Sequence, residues 1–248
     1  MSGLLLRGGG QGGRAALGKW RDLPVSTDGL LGVFVLGQSL GASIKNRWGD
    51  DDATVVGAPT VNQYTLGLAG GVNYLLLPFN DPAALTIVWV GKSLDSSNAI
   101  GCGSSGNAGF GANIGLRPGT PNVYMQAYTM ASDGSNSNSR ERNLPGVAAS
   151  SMKCLIGDAD GTSIACADMS GTGGGTGAQR LVSTIGSGDQ VRKDGAQMAI
   201  GGRGSGQPGA TECSMAFVWA RRISDAERAA LYAQKILPMH QSWGFTTV

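Results

Sequence analysis

The groups in this chain able to do acid–base, nucleophilic or metal chemistry are few and scattered. Glutamate occurs three times, at Glu141, Glu212 and Glu227. A glycan-cleaving pair needs two carboxyls on one face, roughly 5 Å apart when the sugar configuration is retained, and alternate positions of one strand would supply them. The three glutamates are each far from the others, and none fits. His240 is the single histidine and lies in the tail, so a Ser-His-Asp triad would have to be built around a residue expected at the surface. No catalytic residue is assigned.

Metal and phosphate sites are equally sparse. Asp50, Asp51 and Asp52 offer oxygens of the kind calcium takes, but three adjacent acids suit a solvated loop better. D-A-D-G at residues 158–161 opens like a calcium loop and lacks the later ligands and closing Glu; Asp and Gly are what a hairpin turn needs. G-G-R-G-S-G at residues 201–206 lacks the Lys-Ser/Thr ending of a phosphate loop. Cys102, Cys154, Cys166 and Cys213 are too widely spaced for a C-x-x-C zinc site and read as free buried thiols. With the hairpin turning about Asp160, Cys154 would face Cys166, and Ile156 would face Ile164, as neighbouring core residues. Neither a metal nor a cofactor is expected.

Binding chemistry has one candidate. Over residues 123–130, V-Y-M-Q-A-Y-T-M, Val123, Met125 and Ala127 alternate with Tyr124, Gln126 and Tyr128. The second set would form a wet face whose rings could stack on a sugar, with Tyr124, Gln126 and Tyr128 as the glycan-binding residues. The competing reading buries both rings in the core. Polar loops at residues 132–139, 169–177 and 201–209 are the places where binding would reside, or plain connectors.

These groups need strands to hold them. M-A-F-V-W-A-R at residues 215–221 has too few polar breaks for a half-wet strand and reads as one covered on both faces. Ser224 then stands three residues before Glu227, the spacing of a capping box that opens a short helix. L-T-I-V-W-V at residues 85–90 reads as a central strand, and residues 29–36 as another covered one; residues 42–52 read as loop. Glycine, 42 residues without a three-residue period, excludes collagen and suits many turns between short strands.

The run F-V-W-A-R-R-I-S-D-A-E-R-A-A-L resembles the last strand and closing helix of the concanavalin A-like lectin/glucanase superfamily, particularly laminin-G-like domains of tailed-bacteriophage structural proteins. A-I-G-G-R at residues 199–203, L-I-G-D-A-D-G-T-S-I at 155–164 and G-G-V-N-Y-L-L-L-P at 70–78 followed by L-T-I-V-W-V are similar to its earlier strands, in order. The resemblance covers roughly residues 53–237. It implies an all-β fold: a two-sheet antiparallel jelly-roll sandwich with a short C-terminal helix, one domain over residues 28–248. Glucanases of this superfamily carry E-x-D-x-x-E on one strand, which this chain lacks.

Residues 1–27 form a glycine-rich basic arm with Arg7, Arg14, Lys19, Trp20 and Arg21 and no acid before Asp22. It is expected to anchor on neighbouring chains; the competing reading lays it on its own sandwich. A net charge of +2 lacks the footprint of a nucleic-acid binder, and no apolar run approaches the roughly 20 residues that span a bilayer. Without a signal segment at residues 1–7, synthesis in a host cytoplasm and residence in a virion are expected.

The function expected from the resemblance is a non-enzymatic bacteriophage virion structural protein on the tail or capsid exterior. Its partners would be other virion proteins, copies of itself and a cell-surface glycan. The alternative is a dedicated receptor-binding adhesin of a tail fibre or tip; a glycan hydrolase ranks last. Exposed rings at Tyr124 and Tyr128 would favour adhesion, whereas buried rings and an inserted arm would favour scaffolding.

Overall fold

A computed structural model describes residues 20, 22–104, 111–120, 122–131, 138–171, 181–185, 190–192, 194–204 and 206–245. Its strands begin with β1 (Leu30–Val35), β2 (Thr54–Val56), β3 (Thr60–Val61), β4 (Leu66–Ala69), β5 (Tyr74–Asn80) and β6 (Leu85–Ser93). There follow β7 (Ala99–Gly103), β8 (Ala112–Arg117), β9 (Asn122–Ala131), β10 (Asn138–Pro145) and β11 (Lys153–Ala159). The last are β12 (Ser163–Asp168), β13 (Leu181–Thr184), β14 (Gln190–Arg192), β15 (Gln197–Ile200) and β16 (Ala210–Trp219). One turn of helix, α1 (Leu40–Ser43), runs into the start of the stretch read as loop; Ser39 caps it by accepting a bond from Ala42 N–H.

Two antiparallel sheets result. The first runs β13-β12-β11-β6-β16-β4-β3, and the second β10-β9-β8-β7-β15-β5-β2, with β14 also on β9. β16 organises the first sheet. It pairs with β6 along one edge, while β4 and then β1 follow each other along the opposite edge. An extra residue, Ser214, shifts its register against β6 between Cys213 and Met215.

Side chains alternate about this strand pair as expected for central strands. Leu85, Ile87, Trp89, Cys213, Ala216 and Val218 enter the core between the sheets. Val88, Val90, Met215, Phe217 and Trp219 lie on the other face in a second apolar cluster. That outer cluster is closed by α2 (Asp225–Leu231), a π turn at Tyr232–Ile236 and α3 (Leu237–Ser242). Ser224 and Glu227 form the anticipated capping box. Such a cap contributes about 1 kcal/mol, whereas burying Leu231 and Ile236 contributes about 1.5–3 kcal/mol each. Packing therefore holds the helix, and the cap fixes its start. The π turn answers Pro238, which has no N–H to give Gln234; Leu237 N–H donates instead to Tyr232 five residues back.

Two expectations need correction. The β11–β12 hairpin pairs Ala159 with Ile164 and Gly157 with Cys166, because Asp160 Oδ1 accepts from Thr162 N–H and Ser163 N–H and moves the turn centre onward. The odd shift in register sends Cys154 and Ile156 to the outer cluster and Cys166 and Ile164 to the inter-sheet core. His240 is not a surface residue: it lies on α3 and is fully buried. Of the arm, Trp20 joins the outer cluster, 5.7 Å from the Phe217 ring and under Lys235 Nζ at 4.8 Å. Arg7, Arg14, Lys19 and Arg21 lie outside the described residues, as do most of the loops at 132–139 and 169–177.

Candidate functional site

The outer face of the second sheet, over β8, β9 and β10, gathers polar side chains. Ala112, Ile114, Leu116, Val123, Met125, Ala127 and Leu144 point into the core, so the alternate residues point away from it. Strand register sorts these into rungs. Asn113, Gln126 and Glu141 stand in one; Gly115, Tyr124 and Asn143 stand in the next. Tyr124, Gln126 and Tyr128 thus share one face as their spacing predicts.

A continuous lattice of bonds crosses the rungs. Asn113 Nδ2 donates to Gln126 Oε1 at 3.2 Å, and Gln126 Nε2 to Glu141 Oε1 at 3.1 Å. Arg117 Nη2 donates to the same Glu141 oxygen at 2.6 Å and Nη1 to Asn143 Oδ1 at 3.4 Å, an oxygen that also accepts from Asn122 Nδ2 at 3.2 Å. The Arg117 guanidinium lies 4.3 Å from the centroid of the Tyr124 ring, a cation–π contact contributing about 0.5–2 kcal/mol. The bond to Glu141 holds the Arg117 guanidinium even more firmly protonated than usual.

Tyr124 points away from the core and is nonetheless fully buried. Gly115, opposite it, has no side chain, so the ring lies over that residue, where a Cβ would overlap it. Its hydroxyl donates to Gln207 Oε1 at 2.7 Å, bringing the glycine-rich loop at 201–209 over the sheet. Burial pushes the phenol up to about 12. The ring is therefore closed to a stacking sugar in this arrangement, and Gln126 is nearly so; Tyr128 is half-buried. Arg117, Glu141 and Asn143 join the face without having been singled out for it, since only the pairing of β8 and β10 to β9 places them there.

The remaining chemical groups are spoken for elsewhere. Glu212 bonds Lys92 at 2.9 Å and accepts from Thr65; burial opposes its charge, and these bonds still hold it below the ordinary carboxylate range. Glu227 bonds Arg221 at 2.5 Å, which with the cap holds it down at about 2. Each glutamate thus has its own cation in a separate place. Asp52 pairs with Lys45 at 2.5 Å, and Asp160 with Arg222 at 2.9 Å. Ser214 and His240 are hydrogen-bonded but sealed. All four cysteines are free and buried. Among the described residues no group of three or more His, Cys, Asp or Glu is placed to hold a metal ion, and no helix is long and apolar enough to cross a membrane.

No family model and no curated protein matches the chain. Among solved structures it is similar to the Trypanosoma rangeli sialidase, with 14% identity and a TM-score of 0.57 over 86% of this chain and 34% of that one. It is also similar to the receptor-binding domain of botulinum neurotoxin C/D mosaic serotype, with 10% identity and a TM-score of 0.56 over 84% of this chain and 52% of that one. The receptor-binding domain of botulinum neurotoxin D gives 11% identity, a TM-score of 0.56, and coverage of 85% and 54%. The chain thus spans about a third of the sialidase and about half of the toxin domains. At these identities the likeness is one of fold: a two-sheet antiparallel sandwich of jelly-roll type, as the concanavalin A-like resemblance implies.

Proposed function

We propose that this chain is a non-enzymatic structural protein of a bacteriophage virion, displayed on the tail or capsid exterior, whose lectin-like sandwich makes contacts with protein or glycan. The observation that supports a contact role is the asymmetry of the sandwich. One sheet's outer face is sealed by α2, the π turn and α3, while the other carries the Arg117–Glu141 lattice, with the side chains of both residues about a quarter exposed. The separation of the three glutamates, each with its own cation, supports a non-enzymatic reading. The virion placement rests on the sequence resemblance, with other virion proteins and further copies of the chain as partners.

Purified phage particles should contain the chain by mass spectrometry, and immunogold should decorate the tail or the capsid surface. Particles free of the protein would end the virion reading. The second reading, a dedicated adhesin for cell-surface carbohydrate, is favoured by the polar sheet face; the solved structures similar to this chain include receptor-binding domains. Purified protein that binds host cells and blocks phage adsorption would select it.

A further inference from the structure

We infer that the Arg117–Glu141–Asn143 cluster is built for a neutral, hydroxyl-rich saccharide and discriminates against carboxylated sugars. The inference rests on the glycan-contact reading of this sheet face and adds the class of sugar. Arg117 is the cation within the bonded cluster, and its charge is committed to Glu141 in an ion pair of 2.6 Å. A sugar carboxylate seated here would meet the Glu141 carboxylate as a like charge and would have to compete for Arg117.

What the cluster offers outward is a matched acceptor and donor. Glu141 bonds through Oε1, receiving Arg117 and Gln126, and Asn143 bonds through Oδ1, receiving Arg117 and Asn122. Glu141 Oε2 is left to accept a hydroxyl proton and Asn143 Nδ2 to donate to a hydroxyl or ring oxygen. The two residues alternate on one face of β10, so these groups sit one rung apart, bridged and held by the Arg117 fork. Half-buried Tyr128, beyond Gln126 on the same face, supplies an apolar edge for the sugar ring. The site is fixed before any ligand arrives, which lowers the ordering cost of binding.

The test is an array carrying neutral galactosyl, glucosyl and mannosyl oligosaccharides beside sialylated and uronate-containing ones, read with the full chain and its Glu141→Gln and Asn143→Ala variants. The wild type should bind neutral glycans. Glu141→Gln should lose about tenfold on them, as expected for a charge-assisted hydrogen bond, and gain on carboxylated glycans because Arg117 is released. Wild-type binding confined to carboxylated glycans would overturn this inference and leave the glycan-contact reading standing. Binding to neither class would overturn both. Neutral binding unchanged in both variants would remove the site from this cluster; should Glu141→Gln fail to give a normal melting curve, Asn143→Ala decides.

Discussion

Ser214 Oγ and His240 Nε2 lie 2.8 Å apart with both side chains closed to solvent. The serine hydroxyl also donates to the Val90 carbonyl at 3.2 Å, so its one proton is committed and the imidazole is the donor to it. His240 is then neutral with its proton on Nε2, and Nδ1 is a buried atom without a hydrogen-bond partner. The Trp243 and Phe245 rings pack about it at 5.1 and 5.0 Å. Charging this ring means placing a cation where water does not reach, and burial lowers its pKa to about 4.

A pH dependence follows. The unfolded histidine, near 6.5, takes a proton that the folded one refuses until about 4. Stability is therefore intact above about 6.5 and falls as pH drops toward 4, by about 3 kcal/mol in all. Denaturant melts at pH 7.5 and pH 4.5 should show this loss, and His240→Asn should flatten it. The window is separate from that of Glu227 and Asp160, whose carboxyls, held down at about 2, lose their contribution below about 4.

Asp158 and Arg228 form a buried ion pair at 2.5 Å, with Thr86 Oγ1 donating to the other Asp158 oxygen at 2.6 Å. The pair ties α2 to the ends of β6 and β11. Arg228→Met leaves the Asp158 carboxylate buried without its cation and should cost about 3–5 kcal/mol in chemical denaturation; adding Asp158→Asn should recover part of that loss.

Gly115→Ala puts a methyl group where the Tyr124 ring lies. The ring must lift, breaking its bond to Gln207 and its contact with Arg117. We expect a loss of about 1–3 kcal/mol, as for overpacking, together with greater exposure of Tyr124 to tyrosine nitration.

The four thiols should be silent to a thiol reagent in the native protein and all react after denaturation. Every cysteine is fully buried, and burial pushes Cys102 up to about 12. Stoichiometric titration with and without denaturant checks this.

Local signals carried much of the fold. The apolar run around Trp219 and the Ser224–Glu227 spacing placed the last strand and the helix start, because strand burial and capping act over neighbouring residues. Two kinds of information were not local. The register of the β11–β12 hairpin depended on which backbone groups Asp160 takes, and a turn centre beyond Asp160 sent Cys154 to the opposite face from Cys166. His240, in a polar-looking tail, was buried because α3 docks on a sheet whose bulge at Ser214 offers a partner. The candidate site shows the same division. Alternation along β9 put Tyr124, Gln126 and Tyr128 on one face, but Arg117 and Glu141 meet only through strand pairing, and the glycine that lays Tyr124 flat sits on a different strand.

The central claim is that the open face of the second sheet is where this protein makes its contacts. The direct test is a titration of labelled protein onto immobilised neutral oligosaccharides, wild type against the Arg117→Ala/Glu141→Ala double variant, with both shown to melt cooperatively. The account predicts saturable wild-type binding and at least a tenfold weaker variant; equal binding by the two proteins would contradict it.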